Sequence, residues 1–310
     1  FARGERLPKK VGRLNKEQKI SNKEKTIIVD GLRQAYALKL LLRAAQLARS
    51  TFFNQLKSMQ QPDGNVELKA HINELYQQHK QRYGYRRITL ALRLSKDLVV
   101  NHKKVLRVMK ELGLEAVRPK RRYIYLQGSA KGAAVKNILE RKFKAEEPGT
   151  KLATDITELK FKGVRYYLSP MMDLFNREIT AFTISKRPTY SLVESMMNKV
   201  IPQLDSKKQT LLHSDQGWHY RMHSFKRTLA DANVTQSMSR KGNCYDNAAM
   251  ESFFATFKKE FFYRFKGCSE KTLMQAIGDY IRYYNNERIM LNLKMSPVQY
   301  RTQFIEKSTL

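Results

Sequence analysis

The chain has 310 residues and a formal net charge of +31, from 59 lysines and arginines against 28 aspartates and glutamates. An excess this large indicates a polyanionic partner such as nucleic acid, although charge alone would also suit a ribosome-like binder or a merely soluble basic protein. Its two cysteines make neither a disulfide framework nor a zinc-type pair. No apolar run approaches the length of a membrane span, so the sequence excludes a disulfide-stapled protein and a membrane-spanning one.

The first 31 positions are rich in lysine and arginine and show no sustained hydrophobic period. We predict a basic flexible arm over residues 1–31. The chain begins with Phe1 rather than methionine, and we therefore expect it to be part of a longer translated product.

Helical periodicity begins near residue 32, where Leu38 and Leu41 recur on one face. Ser50 or Thr51 could cap a second short helix. Two short helices joined by a tight turn are typical of a helix-turn-helix, but an ordinary helical hairpin has the same pattern. Residues 32–60 are therefore predicted to be helical, with both alternatives open.

A second helical unit, a helix-turn-helix-like DNA-binding segment, is predicted over residues 66–117. Asn101 is a candidate N-cap of its last helix, and Gly113 stands where a helix often ends. This helix has an apolar face and an opposite basic face, which suits a helix lying on DNA, although a solvated face would look similar. The arginines and tyrosines of 82–87 favour the DNA-binding interpretation. The predicted DNA contacts in this unit are Arg86, Arg87, Lys103, Lys104 and Arg107.

Residues 118–147 predict a basic linker, and residues 148–305 predict one α/β domain. Three antiparallel strands followed by alternating helices and strands is the order of a ribonuclease-H-like sheet. The predicted fold class is therefore α/β, a ribonuclease-H-like catalytic core preceded by all-α helix-turn-helix segments. Strands are expected over 151–158, 164–172, 177–185, 209–214 and 233–237, and helices over 189–202, 221–232, 246–264 and 269–285.

Three acidic residues stand out in this domain. Asp155 interrupts a strand pattern, Asp215 follows another strand, and Glu251 lies at the head of a helical stretch. Each has an ordinary explanation by itself, as a loop-capping aspartate or a first-turn glutamate. Together, two carboxylates at strand ends and one on a helix can converge on two Mg²⁺ ions that clamp the attacking and leaving oxygens of a phosphodiester. We predict that these three residues are metal ligands and catalytic.

Lys258 lies seven residues after Glu251, two helical turns on, so both side chains project from one face of the helix. A lysine there can hold the phosphate beside the metals, and we predict a catalytic role for it. Arg240 and Lys241, in the loop before this helix, are predicted to contact the DNA end.

Other polar residues near the triad are assigned to other roles. Oxygen ligands suit Mg²⁺ better than imidazole does, so the nearby histidines are interpreted as structural or DNA-facing; they are His213, His219 and His223. Trp218 is interpreted as packing rather than base stacking. Glu158 and Asp173 are excluded from the metal site, because neither has the required strand-and-helix partners.

Four segments carry motifs specific enough to compare with a known family: 154–158, 213–217, 237–254 and 283–288, the last followed by Ser296 and Pro297. They closely resemble the DDE transposases of the IS-three insertion-sequence family, in the part called OrfB. The likeness covers about residues 35–305 and is specific over 150–300. A departure is Leu152, where the family commonly has Trp, and the upstream helix-turn-helix and leucine zipper of the fused transposase are not evident.

The resemblance implies a bacterial enzyme that cleaves at terminal inverted repeats and joins the freed 3′-hydroxyl to DNA, typically through a circular intermediate. Its core would be retroviral-integrase-like and would use Mg²⁺, with Mn²⁺ as an alternative ion. Its partners would be double-stranded DNA, at element ends and target, and further copies of the chain on that DNA. Its location would be the bacterial cytoplasm, with the nucleoid and not a membrane.

Two other readings stay open. The chain could be a catalytically inactive DNA-binding regulator or transposase remnant, although the intact triad and Lys258 argue against decay. A ribonuclease H or another nuclease on the same fold is disfavoured, because two basic helical units precede the core.

Overall fold

The computed structural model describes residues 20–61, 63–116 and 135–309. The chain divides into two compact units, one up to Ala70 and the other from His71 onward. The helices in the described ranges include none that is long and apolar enough to cross a membrane. Residues 1–19 of the predicted arm and 118–134 of the predicted linker lie outside the described residues.

The first unit begins with a helix in a stretch where we predicted a flexible arm. The hydroxyl of Ser21 accepts a hydrogen bond from the backbone N–H of Glu24, and the Ser21 N–H donates to the Glu24 carboxylate at 2.8 Å. This capping box satisfies backbone groups that would otherwise lack partners, so the arm prediction was wrong for residues 22–31. The described helices of this part are α1 (Asn22–Leu32), α2 (Leu38–Ala44) and α3 (Arg49–Gln60).

A four-residue turn, 45–48, joins α2 to α3. Gln46 adopts a left-handed backbone with φ of 50°, while Leu47 is buried with Leu41 and Phe52 in one apolar cluster. Val29 of α1 belongs to the same cluster, so the unit holds more than the two-helix hairpin that the sequence left open. A DNA-binding role for it stays a prediction.

The second helical segment has the predicted boundaries at its basic helix. The side chain of Asn101 accepts a hydrogen bond from the backbone N–H of Lys103 at 2.8 Å, which confirms the N-cap. Gly113 lies just beyond the helix end with φ of 65°. The helices are α4 (Val66–Gln78), α5 (Tyr85–Lys96) and α6 (His102–Glu111).

Within the described residues, one mixed sheet organises the rest of the chain. One edge of β3 pairs with β4, and its other edge pairs with β2 and then with β1, all antiparallel. On its far side β1 pairs in parallel with β5, which pairs in parallel with β6. This is the ribonuclease-H-like order that the sequence predicted. The strands are β1 (Lys151–Thr154), β2 (Thr157–Phe161), β3 (Val164–Asp173), β4 (Ile179–Ser185), β5 (Thr210–Ser214) and β6 (Val234–Met238).

Helices cover both faces of this sheet. On one face Ala153 of β1 belongs to an apolar cluster with Phe253 and Phe257. On the other face its neighbour Leu152 belongs to a cluster with Val193 and Phe225, as the alternation of side chains along a strand requires. The helices are α7 (Tyr190–Val200), α8 (Trp218–Arg221), α9 (His223–Asp231), α10 (Ala248–Glu260), α11 (Glu270–Asn286) and α12 (Pro297–Thr309).

The helix predicted over 246–264 is divided into three pieces. A 3₁₀ turn over Cys244–Asn247 leads into α10, and another over Phe262–Arg264 follows it. Between them Phe261 leaves helical geometry, with φ of −129°, and its ring is buried against Tyr280. Tertiary packing therefore ends α10 at Glu260, where the sequence pattern would have continued it.

Candidate active site

A break in the sheet places the first carboxylate. Strand β1 ends at Thr154 and β2 begins at Thr157, yet both pair with the same edge of β3. Asp155 and Ile156 occupy the gap, and an Asp155 carboxylate oxygen accepts a hydrogen bond from the Ile156 N–H at 2.7 Å. The prediction of one continuous strand over 151–158 was therefore wrong. The strand is interrupted at Asp155, the residue predicted to be a metal ligand.

The second carboxylate follows the neighbouring strand. Because β5 runs parallel to β1, the ends of the two strands meet at one edge of the sheet, and Asp215 comes directly after β5. Its Oδ1 accepts a hydrogen bond from the Gly217 N–H at 2.8 Å. A Cβ at position 217 would lie 2.9 Å from that oxygen, so the loop needs glycine there.

The third carboxylate lies on α10, in its first turn, and Lys258 lies in its last. Phe253 and Phe257 anchor the opposite face of the helix in the core. At the start of the helix Asn247 donates to the Thr154 carbonyl at 3.4 Å, next to Asp155. Glu251 remains exposed and Lys258 is partly buried.

The charges of Asp215, Glu251 and Lys258 all act on the pKa of Asp155, as expected for residues of one site. Burial raises the pKa of the Asp155 carboxyl well above its ordinary value, and the charges of Asp215 and Glu251 raise it further, whereas the Lys258 charge lowers it. Burial also raises the pKa of Asp215 and of Glu251. Carboxylates that disfavour one another's ionisation need a cation or a proton to share their space.

The pKa of Lys258 is also influenced by the residues around this site. Burial lowers the pKa of its ammonium, and the charges of Glu158 and Asp155 act in the opposite direction. Glu158, excluded from the metal site by the sequence, is exposed on β2 but lies close enough to influence this lysine.

No three histidine, cysteine, aspartate or glutamate side chains in the described ranges are placed to hold one metal ion together. A site for two Mg²⁺ ions does not require such a triplet, because Mg²⁺ is usually held by one or two carboxylates with water and substrate phosphate completing its octahedron. The donor set of Asp155, Asp215 and Glu251 is all oxygen and anionic, which fits that ion.

Sequence reasoning missed the residue that holds the loop before α10. Asp246 is fully buried, and its carboxylate accepts two hydrogen bonds from the Arg240 guanidinium, both at 2.8 Å, and one from Arg141, also at 2.8 Å. The Arg240 guanidinium holds the pKa of Asp246 well below its usual range. Arg240 therefore has a structural partner, although its side chain is exposed, as is that of Lys241. DNA contacts by either residue stay predictions.

The histidines near Asp215 differ in role. His213 is fully buried, and its ring nitrogens lie 2.9 Å from the Ser237 hydroxyl and 3.1 Å from the Ser239 hydroxyl, which is a structural position. His219 is buried with its Nε2 2.6 Å from the Pro188 carbonyl. Trp218 stacks on His219 at 3.9 Å but is 51% exposed, so packing accounts for only part of its surface.

Tyr220 and Asp173 differ in their relation to the carboxylate site. Tyr220 is 1% exposed, and burial raises the pKa of its hydroxyl, with further contributions from Asp215 and Asp155. It therefore lies beside both aspartates, and no sequence signal singled it out. Asp173 accepts hydrogen bonds from the N–H groups of Gly149 and Phe175 at 2.8 and 2.9 Å, which is consistent with its exclusion from the metal set.

The predicted DNA contacts of the helical segment fall into two groups. Arg86 on α5 is exposed, as are three cations on α6: Lys103, Lys104 and Arg107. Arg87 instead points into the protein: its side chain is 21% exposed, and its Nε donates to the Ile289 carbonyl at 2.9 Å. A DNA contact by Arg87 stays a prediction, but the structure gives this side chain an intramolecular partner.

Known families match most of the chain. A model described as "Integrase core domain" matches residues 145–244, a second of the same description matches 251–305, and one described as "HTH-like domain" matches 64–122. The transposase InsF for insertion sequence IS3A of Escherichia coli K12 is 28% identical over 270 residues, 85% of this chain and 93% of the relative. The putative transposase InsK for insertion sequence element IS150 of the same organism is 43% identical over 277 residues, 89% of this chain and 97% of the relative.

The chain belongs to the insertion-sequence transposases of the IS-three family. It is a DDE-type transposase with an integrase core, and its activity falls in the polynucleotidyl-transferase class. Among solved structures, the HTLV-2 integrase catalytic core domain in complex with magnesium aligns with a TM-score of 0.42 and 16% identity, over 51% of this chain and 99% of that chain.

Position 152, where the sequence departs from the family pattern, has an apolar side chain in this transposase. Leu152 is 2% exposed and packs in the same cluster as Met171 and Leu212. The position is therefore filled by core packing on the face of the sheet opposite α10.

Proposed function

We propose that this transposase cleaves DNA at the terminal inverted repeats of its element and transfers the freed 3′-hydroxyl to target DNA, with Asp155, Asp215 and Glu251 as its metal ligands. The observation that carries the proposal is geometric: β1 and β5 run parallel and end side by side, next to Asp155 and Asp215, and Asn247 at the start of α10 donates to the Thr154 carbonyl. The effect of Asp215 and Glu251 on the pKa of Asp155 agrees with this arrangement. Double-stranded DNA is the proposed partner, bound by more than one copy of the chain.

The three carboxylates would hold Mg²⁺, or Mn²⁺ in its place. When bound, a pair of such ions supplies Lewis-acid stabilisation to the attacking and leaving oxygens of a phosphodiester. The raised pKa of Asp155 supports this assignment, because a divalent cation offsets the repulsion that Asp215 and Glu251 exert on it.

Each residue has a distinct task. Asp155, whose pKa both other carboxylates affect, would be the ligand shared by the ions. The Gly217 N–H fixes Asp215 Oδ1 by a hydrogen bond of 2.8 Å, which leaves Oδ2 of the same carboxylate for an ion. Glu251 is exposed on the outer side of the site, where it can meet an ion and DNA together.

Lys258 would bind the phosphate that is cut. Its ammonium is partly buried and lies near Asp155, so it can neutralise a phosphate oxygen beside the metals. No side chain is required as a covalent nucleophile, because water and then the DNA 3′-hydroxyl attack.

The experiment is incubation of the chain with labelled candidate element ends and Mg²⁺, alongside Glu251→Gln. We expect cleavage and joining by the wild type, none with a chelator, and none by Glu251→Gln, while DNA binding persists in the variant. Equal activity of the two proteins would overturn the assignment of Glu251. Metal-independent binding with no cleavage by either protein would instead support the inactive DNA-binding regulator.

A further inference from the structure

The helix-turn-helix-like segment is docked on the catalytic core through a buried cluster of polar residues. We call this cluster the docking junction; its members are His79, Arg82, Tyr83 and Arg87 on the segment, and Glu260, Tyr283, Arg288 and Ile289 on the core. The contacts join positions as much as 206 residues apart in the chain. Both sides belong to the second compact unit.

The core side of the junction is a buried ion pair at the end of α10. Arg288 donates two hydrogen bonds to the Glu260 carboxylate, both at 2.8 Å, and the two side chains are 4% and 6% exposed. The Tyr280 hydroxyl donates to the same carboxylate at 3.1 Å. A bidentate guanidinium–carboxylate pair fixes the relative orientation of its two side chains and also pairs their charges.

The segment side reaches this pair with two side chains. The Arg87 guanidinium lies 3.8 Å from Glu260, and its Nε donates to the Ile289 carbonyl at 2.9 Å. The Tyr83 ring is fully buried; its hydroxyl accepts from the Ile289 N–H at 2.8 Å and donates to the Glu287 carbonyl at 3.2 Å.

Aromatic contacts extend the junction. His79 stacks on Tyr83 with ring centroids 3.8 Å apart. Arg82 lies over the Tyr283 ring at 4.4 Å, and its Nε donates to the Glu260 carbonyl at 3.3 Å. Contacts this specific indicate that the segment packs on the core in a fixed orientation and is not only connected to it by the chain.

Helix α10 connects the junction with the active site. It carries Glu251 in its first turn and Lys258 in its last, and it ends at Glu260. On the other side, α5 begins two residues after Tyr83 and packs against α6, whose basic face is exposed. The junction therefore links the predicted DNA-binding face of α6 to the helix that carries two site residues.

We propose that Arg87 and Tyr83 are positioning residues that fix the number of base pairs between the DNA bound by α6 and the phosphodiester that is cut. This inference rests on the proposed strand cleavage at element ends and goes beyond it, because it assigns the choice of cut position to an intramolecular contact. It also gives Arg87 a task different from the DNA contact that its sequence suggested.

The docking itself is tested without DNA or turnover. Spin labels would be placed on Lys110→Cys in α6 and Ala255→Cys in α10, both exposed positions, with Cys244 and Cys268 replaced by serine. We expect one narrow distance distribution in the otherwise wild-type protein and in Arg93→Ala, on the exposed side of α5, and a broad one in Arg87→Ala and in Tyr83→Phe. A distribution equally narrow in all four proteins would overturn the inference.

The positioning role of Arg87 and Tyr83 is tested by mapping the cut positions on labelled element ends at nucleotide resolution. We expect the wild type and Arg93→Ala, an exposed arginine of α5 that is not among the predicted DNA contacts, to cut at one position. Arg87→Ala should cut at several neighbouring positions with an unchanged salt dependence of DNA binding. A purely structural role would lower the amount of product without moving the cut. If Arg87 contacted phosphate instead, Arg87→Ala would keep the single cut and lower the salt slope by about one.

The two proposals fail separately. If the wild type gives no Mg²⁺-dependent cut, the proposed function fails, and the distance measurement still decides whether the junction docks the segment. If the wild type cuts and Arg87→Ala cuts at the same single position, the positioning role is wrong. Tyr83→Phe, which removes one hydroxyl, provides the same comparison if Arg87→Ala does not fold.

Discussion

Asp155 and Lys258 act on each other across the site: the lysine charge lowers the pKa of Asp155, and the aspartate charge raises the pKa of Lys258. For both groups burial is the larger influence, raising the pKa of Asp155 and lowering that of Lys258. The two residues lie at a strand break and in the last turn of α10, so their proximity depends on how that helix packs on the sheet.

Lys258→Ala should slow strand cleavage strongly without abolishing DNA binding. Removing one positioned donor to a transition-state charge typically costs a factor of ~10²–10³ in rate, and we expect a loss of about that size. Single-turnover cleavage of labelled ends at saturating Mg²⁺ is the measurement, with Lys271→Ala on the exposed surface of α11 as the matched control. A rate equal to that of the control would remove Lys258 from the site.

The basic face of α6 should account for part of the salt dependence of DNA binding. Lys103, Lys104 and Arg107 are exposed, and each phosphate contact contributes about one unit to the slope of log affinity against log salt. We expect each alanine variant to lower the slope by roughly that amount. Arg227→Ala, on the exposed side of α9 and paired with Asp231 at 3.9 Å, should leave it unchanged; an equal effect of all four variants would argue against an α6 binding face.

Asp246→Asn should destabilise the protein. The buried carboxylate satisfies two arginines, and an amide can replace only part of those hydrogen bonds, so we expect a loss of roughly 1–3 kcal/mol in the free energy of unfolding. Asp231→Asn breaks an exposed pair and should cost close to zero. Urea denaturation compares the two, and similar midpoints would show that the Asp246 cluster does not stabilise the loop before α10.

His79 should make the protein less stable in mild acid. Burial lowers the pKa of His79 from 6.5 to about 4, and the nearby Arg82 charge contributes in the same direction. The unfolded chain therefore takes up a proton at higher pH than the folded one, so stability is full above pH 6.5 and declines as the pH falls toward about 4.

His79→Phe keeps an aromatic ring against Tyr83 and removes the titrating group. We expect the variant to lose less stability than the wild type between pH 6.5 and 4.5; thermal unfolding across that range is the measurement. Burial also lowers the pKa of His213 to about 4. The slope of stability against pH should therefore become smaller in the variant but not disappear. An unchanged slope would show that His79 does not titrate in this way.

The local sequence predicted those parts of the site that depend on strand and helix patterns. Asp155 and Asp215 were found because each interrupts or follows an apolar run, and Asn101 because a helix needs a cap. The capping box at Ser21 was equally local, with a glutamate three residues later, but the density of charge around it favoured a flexible arm.

The rest depends on pairing between distant parts of the chain. The segments on both sides of the break at Asp155, β1 and β2, pair with one edge of β3, and no local pattern reveals that pairing. Arg87 looked like its neighbour Arg86, since a basic residue on a helix does not indicate what lies opposite. Glu260 and Arg288, 28 positions apart, gave no signal because charged residues are rarely buried.

The most direct test of the shared metal site is to map where a metal ion sits. Fe²⁺ placed in the Mg²⁺ site, with ascorbate and peroxide, generates radicals that cut the backbone near the ion. We predict cuts near Asp155, Asp215 and Glu251 that excess Mg²⁺ suppresses and Asp155→Asn abolishes. Cuts confined to other segments, or cuts that persist unchanged in Asp155→Asn, would contradict a metal site built from these three carboxylates.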